Sequence, residues 1–430
     1  MAADGKAPSE KALIQSEKDI DILAKQMLNI GEAMHRAGSE ISRTEETLYL
    51  LGKAYGALHM NVYVIPSMIL LTLEFSGFAA ITQERRVNAE STDLKRLGEL
   101  NALCRACAKA PLPVEELRRR VLAILDEKPR SWALLIGQVL ACGFFCLFFG
   151  GTLFDACAAG GIAVLIWLMG RYLAPLCSGP IFYNVLAAFF TGSAVCLGAR
   201  VFPSLRTDEI IIGDIMVLIP GIAITNSVRY AISENPISGV EKLIQSLLQA
   251  GALAAGFALA LYLCGKGTSF DGSVTPMAQI AYATVATYGF CLIFHIDWKS
   301  ALCGALGGGI CWGLYLLFVR VGLSIFWATF FSAACIGLYG ELLARLLKQP
   351  TTVFFVPGCI PLIPGSNLYY MLSGMIGRDW ALCNEQGTLL LLYLLGISLG
   401  LAAVLEFASI FRKLRIRIQE KAVRPPSTWK

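Results

Sequence analysis

Phe182–Arg200 reads FYNVLAAFFTGSAVCLGAR, and Phe326–Arg345 reads FWATFFSAACIGLYGELLAR. Both stretches are apolar, rich in small residues, and close on an arginine. Each is long enough to cross a hydrocarbon core, which takes about 20 apolar residues in a helix. They lie 144–145 residues apart, and Ile219-Pro220-Gly221 recurs as Ile363-Pro364-Gly365 at offset 144. Gly160-Gly161 and Gly307-Gly308 add a weaker match at 147. Near-constant spacing across separate motifs predicts an internal repeat of five membrane helices. An odd number makes the second copy enter the membrane from the opposite side. That is the inverted-topology plan of many secondary transporters.

The rest of the chain fits around this repeat. Of 430 residues, 56% are apolar and 16% charged, with a mean hydropathy of +0.62. Soluble domains carry about 25% charge. The composition excludes a disordered chain, a nucleic-acid-coating basic protein and a simple soluble enzyme. Residues 1–130 hold 18 basic and 18 acidic side chains, residues 131–411 only 11 and 12, and residues 412–430 seven and one. This predicts an α-helical integral membrane protein with an N-terminal soluble α/β domain. The expected parts are a disordered start (1–16), a cytoplasmic domain (17–130), two five-helix repeats (131–265 and 272–411) and a basic tail (412–430). Ten spans are expected, near 132–150, 153–171, 181–201, 209–228, 241–264, 275–295, 299–319, 324–344, 353–375 and 387–409. Arg118, Arg119, Arg120, Lys128 and Arg130 precede the first; Arg412, Lys413, Arg415 and Arg417 follow the last. By the positive-inside rule both termini are cytoplasmic, as an even span count requires. No secretory signal opens the chain, so the head is expected to stay in a reducing cytosol.

Matched Pro-Gly breaks point to the binding region of such a fold. Pro220-Gly221 is followed by Asn226 and Arg229, and Pro364-Gly365 by Ser366 and Asn367. These eight are the expected substrate contacts; Arg229 suits a carboxylate through a bidentate pair. Proline kinks that serve structure alone are the competing reading. An acid at membrane depth costs about 2.5–3.5 kcal/mol on insertion scales, so it is a functional candidate by default. Asp214 in the fourth span and Glu341 in the eighth are the expected proton carriers. The alternatives are headgroup exposure for Asp214 and an i,i+4 pair with Arg345 for Glu341. Asp155, at a span start, is expected at the interface.

In the head, Ile20, Leu23, Met27, Ile30 and Met34 mark a helix. Ser42-Arg43-Thr44-Glu45 has the form of a capping box. Residues 61–83 read as a short sheet, because Pro66 and Glu74 interrupt them. Helices are expected over 91–109 and 113–126. Cys104 and Cys107 form a C-x-x-C, but inside a helical pattern and without a second ligand pair. The three histidines are too scattered for a metal site. There is no P-loop, no G-x-S-x-G and no H-E-x-x-H. No cofactor and no metal are expected. Glu40, Arg43, Glu45 and Glu46 form a charged cluster, read either as a solvated helix start or as an ordered contact.

Gly38-Ser39-Glu40-Ile41-Ser42-Arg43-Thr44-Glu45-Glu46-Thr47 resembles the head motif of the threonine/serine exporter family. In it Gly38, Glu40, Arg43, Glu45 and Thr47 carry the match. Arg85-Arg86-Val87 with Asp93-Leu94 resembles the family's next block. Ile219-Pro220-Gly221 with Asn226 and Arg229, and Pro361-Leu362-Ile363-Pro364-Gly365-Ser366, resemble its two membrane blocks. The family pattern has Arg-Asp after the first Pro-Gly; this chain has Arg229-Tyr230. The resemblance spans roughly residues 20–410. It implies a ten-helix inner-membrane exporter with its two parts fused. The implied substrates are threonine and serine, or a dicarboxylate such as succinate as in related two-chain members.

Proton-driven export of small polar metabolites is therefore the leading expectation. The partners expected are the bilayer, the small-molecule substrate and protons, with no nucleic acid. A membrane scaffold and a head-domain hydrolase are the readings from other classes. Small-residue faces at Gly160-Gly161 and Gly304–Gly309 suit close helix packing within one chain or in a homo-oligomer.

Overall fold

A computed structural model describes residues 14, 16–87, 92–127, 130–219, 223, 227, 236–264 and 274–423. The chain divides into two units. One runs up to Arg130 and includes Phe294–Ile296; the other holds Ser131–Ile293 and the residues from Asp297 onward.

In the first unit α1 (Glu17–Arg36) starts where the Ser16 side chain accepts the Asp19 N–H, and it buries Ile20, Leu23, Met27, Ile30 and Met34 along one face. Gly38 ends the turn at φ +90°, a conformation that favours glycine. In α2 (Ile41–Ala54) the expected capping box is absent. The helix begins two residues earlier, with Glu40 as N-cap and no side-chain cap. Ser42 is thus already inside the helix. Glu45 instead accepts the Val64 N–H at 2.9 Å, which ties α2 to the sheet.

The sheet is β1 (His59–Ile65), β2 (Met68–Glu74) and β3 (Ile81–Arg86), an antiparallel meander in order β1-β2-β3. Along β2, Ile69, Leu71 and Leu73 are buried and alternate with partly exposed neighbours. Strand alternation thus gives the sheet one core face. Helices α3 (Leu94–Lys109) and α4 (Val114–Asp126) follow. Asp93 caps α3 by accepting the Arg96 N–H; Pro113, with Glu115 and Glu116 behind it, opens α4. The only sheet among the described residues is small and wholly antiparallel, so the expected α/β domain reduces to four helices and one meander. The Leu94 N–H donates to the Phe294 carbonyl within this unit.

The second unit is helical throughout its described residues. Its helices are α5 (Ser131–Phe148), α6 (Leu153–Leu168), α7 (Pro180–Val201), α8 (Thr207–Leu218), α9 (Pro236–Cys264) and α10 (Pro276–Ile293). They continue with α11 (Trp298–Arg320), α12 (Ile325–Leu347), α13 (Thr352–Gly358), α14 (Gly365–Gly377) and α15 (Trp380–Val423). Among the described residues eight helices are long and apolar enough to cross a membrane, α6 being extended through a π-turn and a 3-10 turn to Leu176. The chain is an integral membrane helical protein.

The fourth and ninth expected spans are not continuous helices. Helix α8 has 12 residues, about 18 Å at 1.5 Å per residue and short of a roughly 30 Å core. In the second half of the fourth expected span only Ile219, Ala223 and Ser227 are described. The ninth is split into α13, a 3-10 turn over Ile360–Leu362, and α14. Pro361 and Pro364 supply the break, since each lacks an N–H and crowds the preceding turn, while Pro357 sits inside the last turn of α13.

Candidate functional site

Nine of the twelve residues of α8 are buried. Helix α8 packs on α5, α6, α7 and α14. Gly213 makes the closest approach: a Cβ there would stand 2.8 Å from the Cys142 carbonyl oxygen and 2.9 Å from the Cys146 nitrogen. Only a residue without a side chain lets α8 lie backbone to backbone on α5. The next residue, Asp214, is fully buried. Neither of its carboxylate oxygens meets a nitrogen or oxygen donor, and the polar group facing it is the Cys142 thiol. Burying a carboxyl without such partners is expensive. Asp214 is therefore shielded by protein on all sides.

The break before α14 reaches the same helix. A Cβ on Gly365 would overlap the Met216 sulfur and lie 3.6 Å from Ile219 Cδ1. The residue before Pro220 and the residue after Pro364 therefore meet. Tyr369 Oη donates to Asp208 Oδ1 at 3.3 Å, a second tie between α14 and α8. Asn367 turns to α15, donating to Gln386 Oε1 at 2.9 Å, and Ser366 is half-buried beside it. Pro220, Gly221, Asn226 and Arg229 lie outside the described residues.

The other expected acids are fully employed. Glu341 pairs with Arg345 at 3.3 Å and accepts from Thr351 Oγ1 at 2.9 Å, which joins α12 to the start of α13. Asp155 is buried in the protein as half of a capping box with Thr152; its Oδ1 also accepts the Arg206 N–H at 3.0 Å. Sequence reasoning missed Cys142, which reads as one more small apolar residue. It also missed the pairing of Asp208 with Tyr369, whose partners lie 161 residues apart.

The head motif holds the first unit together. With the Asn101 amide oxygen toward it, Arg43 donates from Nε (3.2 Å) and an Nη (2.8 Å), which ties α2 to α3. Thr44 Oγ1 donates to the Glu40 carbonyl at 3.0 Å, and Thr47 is buried. Burial pushes the Glu45 carboxyl above its ordinary range, partly offset by the Val64 N–H. Cys104 and Cys107 are buried in α3. Burial pushes the Cys104 thiol up to about 12 and raises Cys107 as well, so neither is a ready thiolate.

Comparison with known proteins now bears on this arrangement. A family model described as "Putative threonine/serine exporter" matches residues 25–264, and a second, "Threonine/Serine exporter, ThrE", matches residues 279–406. A threonine/serine exporter of Corynebacterium glutamicum is 23% identical over 364 residues, covering 79% of this chain and 73% of that protein. A "Probable threonine/serine exporter" of Mycobacterium tuberculosis is 21% identical over 378 residues, covering 82% and 70%. No solved structure matches the chain. The family models cover both the head with the first membrane half and the second membrane half, so this chain belongs to the threonine/serine exporter family, with the two parts fused in one polypeptide.

Proposed function

We propose that the chain is a secondary transporter that exports threonine and serine across the cytoplasmic membrane, coupled to protons. The relatives' names supply the substrate class. The observation that carries the mechanism is Asp214, buried without a nitrogen or oxygen partner on a short helix that meets the Pro364-Gly365 break. Substrate binds between the two breaks. Pro220, Gly221, Pro364 and Gly365 free the backbone, Asn226, Ser366 and Asn367 offer polar contacts, and Arg229 takes the carboxylate. Asp214 carries the proton. Glu341, already paired and hydrogen-bonded, braces α12 against α13.

Alternating access by one repeat rocking against the other gains support from packing that recurs along the chain. A Cβ on Gly192 would meet Phe257 and Ala260; one on Gly337 would meet Leu401 and Val404. A Cβ on Gly256 would meet Val185, Ala188 and Phe189; one on Gly400 would meet Phe330, Ala333 and Ala334. Every residue in the second set lies 144 or 145 positions after its counterpart, the offset that separates the two Pro-Gly motifs. In α5 and α10, the first helices of the two halves, a Cβ on Gly289 would sit 2.7 Å from the Ala141 nitrogen and one on Gly137 3.0 Å from the Ile293 nitrogen. These contacts run in opposite directions along the two helices, as an inverted repeat requires. With basic flanks at both ends, this topology leaves both termini in the cytoplasm.

Replacing Asp214 by Asn tests the coupling role. Gradient-driven flux is lost while expression and insertion are kept; flux at the wild-type rate removes Asp214 from the mechanism. Dicarboxylate export is the second reading, favoured by Tyr230 where the family pattern has Asp. Without that acid the ammonium of an amino acid loses a partner.

A further inference from the structure

The first unit contains a cavity that the transport reading does not use. Its volume is about 230 Å³, and it is lined by Asn29, Glu32 and Arg36 of α1, Asp93 and Arg96 at the start of α3, and Leu125 of α4. Drug-sized sites run from about 300 to 1,000 Å³, so this one admits only a small metabolite. The lining holds two guanidinium groups and two carboxylates, and Arg85 of β3 also donates to Glu32 Oε2 at 3.3 Å. The pairs within the lining are loosely matched. Arg36 lies 3.7 Å from Glu32, and Arg96 Nε lies 3.7 Å from Asp93 Oδ2. Charge-assisted hydrogen bonds close to about 2.7–2.9 Å. The Asp93 Oδ1 and one Arg96 Nη are engaged, with the Arg96 N–H and the Glu127 carbonyl. Arg36 and the outer oxygen of Asp93 therefore face the cavity with little to hold them.

We propose that this cavity binds a small zwitterion of the α-amino-acid class. Arg36 takes the carboxylate in a two-pronged contact. Asp93 takes the ammonium. Leu125 and the two alanines of the α1 face restrict the side chain to a small one. Arg36 and Asp93 present opposite charges to the same space. A neutral pair of charges at short separation satisfies both. This gives the cytoplasmic head a binding site for the class of molecule the membrane unit exports, separate from the Pro-Gly breaks. The choice of threonine as probe rests on the proposed export function.

The test is hydrogen–deuterium exchange on the full-length protein in nanodiscs, with L-threonine, N-acetyl-L-threonine (no ammonium) and L-threoninol (no carboxylate) as probes. Threonine slows exchange in peptides covering 29–38 and 92–97; neither analogue does so at the same concentration. Arg36→Gln weakens the threonine effect at least about tenfold, the loss expected for one charge-assisted contact. Asp93→Asn weakens it too while keeping the helix cap, since Asn also caps. Arg36 is about half exposed, so its replacement leaves the fold intact. Absence of protection by saturating threonine overturns the proposal. So does equal protection by the N-acetyl analogue, or an undiminished effect in Arg36→Gln. Flux in proteoliposomes is read separately. Asp214→Asn loses flux and keeps head protection, so failure of the exporter reading and failure of the cavity reading are distinguishable.

Discussion

Asp214 and Glu341 look alike in the sequence, each a single acid in an apolar run. The structure separates them by what surrounds them. Glu341 has a cation and a hydroxyl in contact, whereas Asp214 has neither. Glu341→Gln keeps the Thr351 contact and removes only an exposed ion pair, worth about 0–1 kcal/mol. Flux in that variant stays within a factor of two or so of wild type, and transport assays beside Asp214→Asn check it. His295 makes a second residue-scale prediction. It lies in the first unit among Asp93, Lys95 and Arg96, and burial holds its imidazole below the ordinary value of 6.5. A depressed histidine contributes stability above the unfolded value and loses it as pH falls through the folded one. The Phe294–Ile296 packing should therefore loosen as pH drops below about 6.5. Exchange at the Leu94 amide, corrected for intrinsic rate, should rise there in the wild type and stay flat in His295→Gln.

At the scale of elements, glycine sets where helices approach. Gly256→Ala drives a Cβ into the Val185 carbonyl, and Gly400→Ala drives one into the Phe330 carbonyl; Gly161→Ala meets nothing within 4 Å. The first two should each cost about 1–3 kcal/mol as overpacking does, and the third almost nothing. Thermal unfolding in detergent, followed by gel filtration, checks the three together. Much of the element layout was legible in the sequence. Length and apolarity announced the long helices, and Pro361 and Pro364 announced the break. The breakdown of the ninth span into three short pieces was not, because the prolines mark where a helix stops and not how the chain resumes. The Ser42–Glu45 capping box failed for a related reason. A local pattern competes with tertiary partners, and the Val64 N–H took the Glu45 side chain.

For the molecule as a whole, the sequence shows a near-constant offset between its motifs, and the contacts of Gly192, Gly256, Gly337 and Gly400 carry the same offset into packing. The candidate site was legible only in part. Pro364, Gly365 and Asp214 stood out, and the meeting of Gly365 with Met216 and Ile219 required the fold. Cys142 had no sequence signal, since a buried cysteine reads as a small apolar residue. The proposed function is proton-coupled export of threonine and serine. The most direct measurement is efflux from proteoliposomes preloaded with labelled threonine, serine or succinate, with and without an imposed pH gradient. Gradient-dependent loss of threonine and serine, with retention of succinate, is expected. Loss of succinate alone, or amino-acid loss indifferent to the gradient, would contradict it.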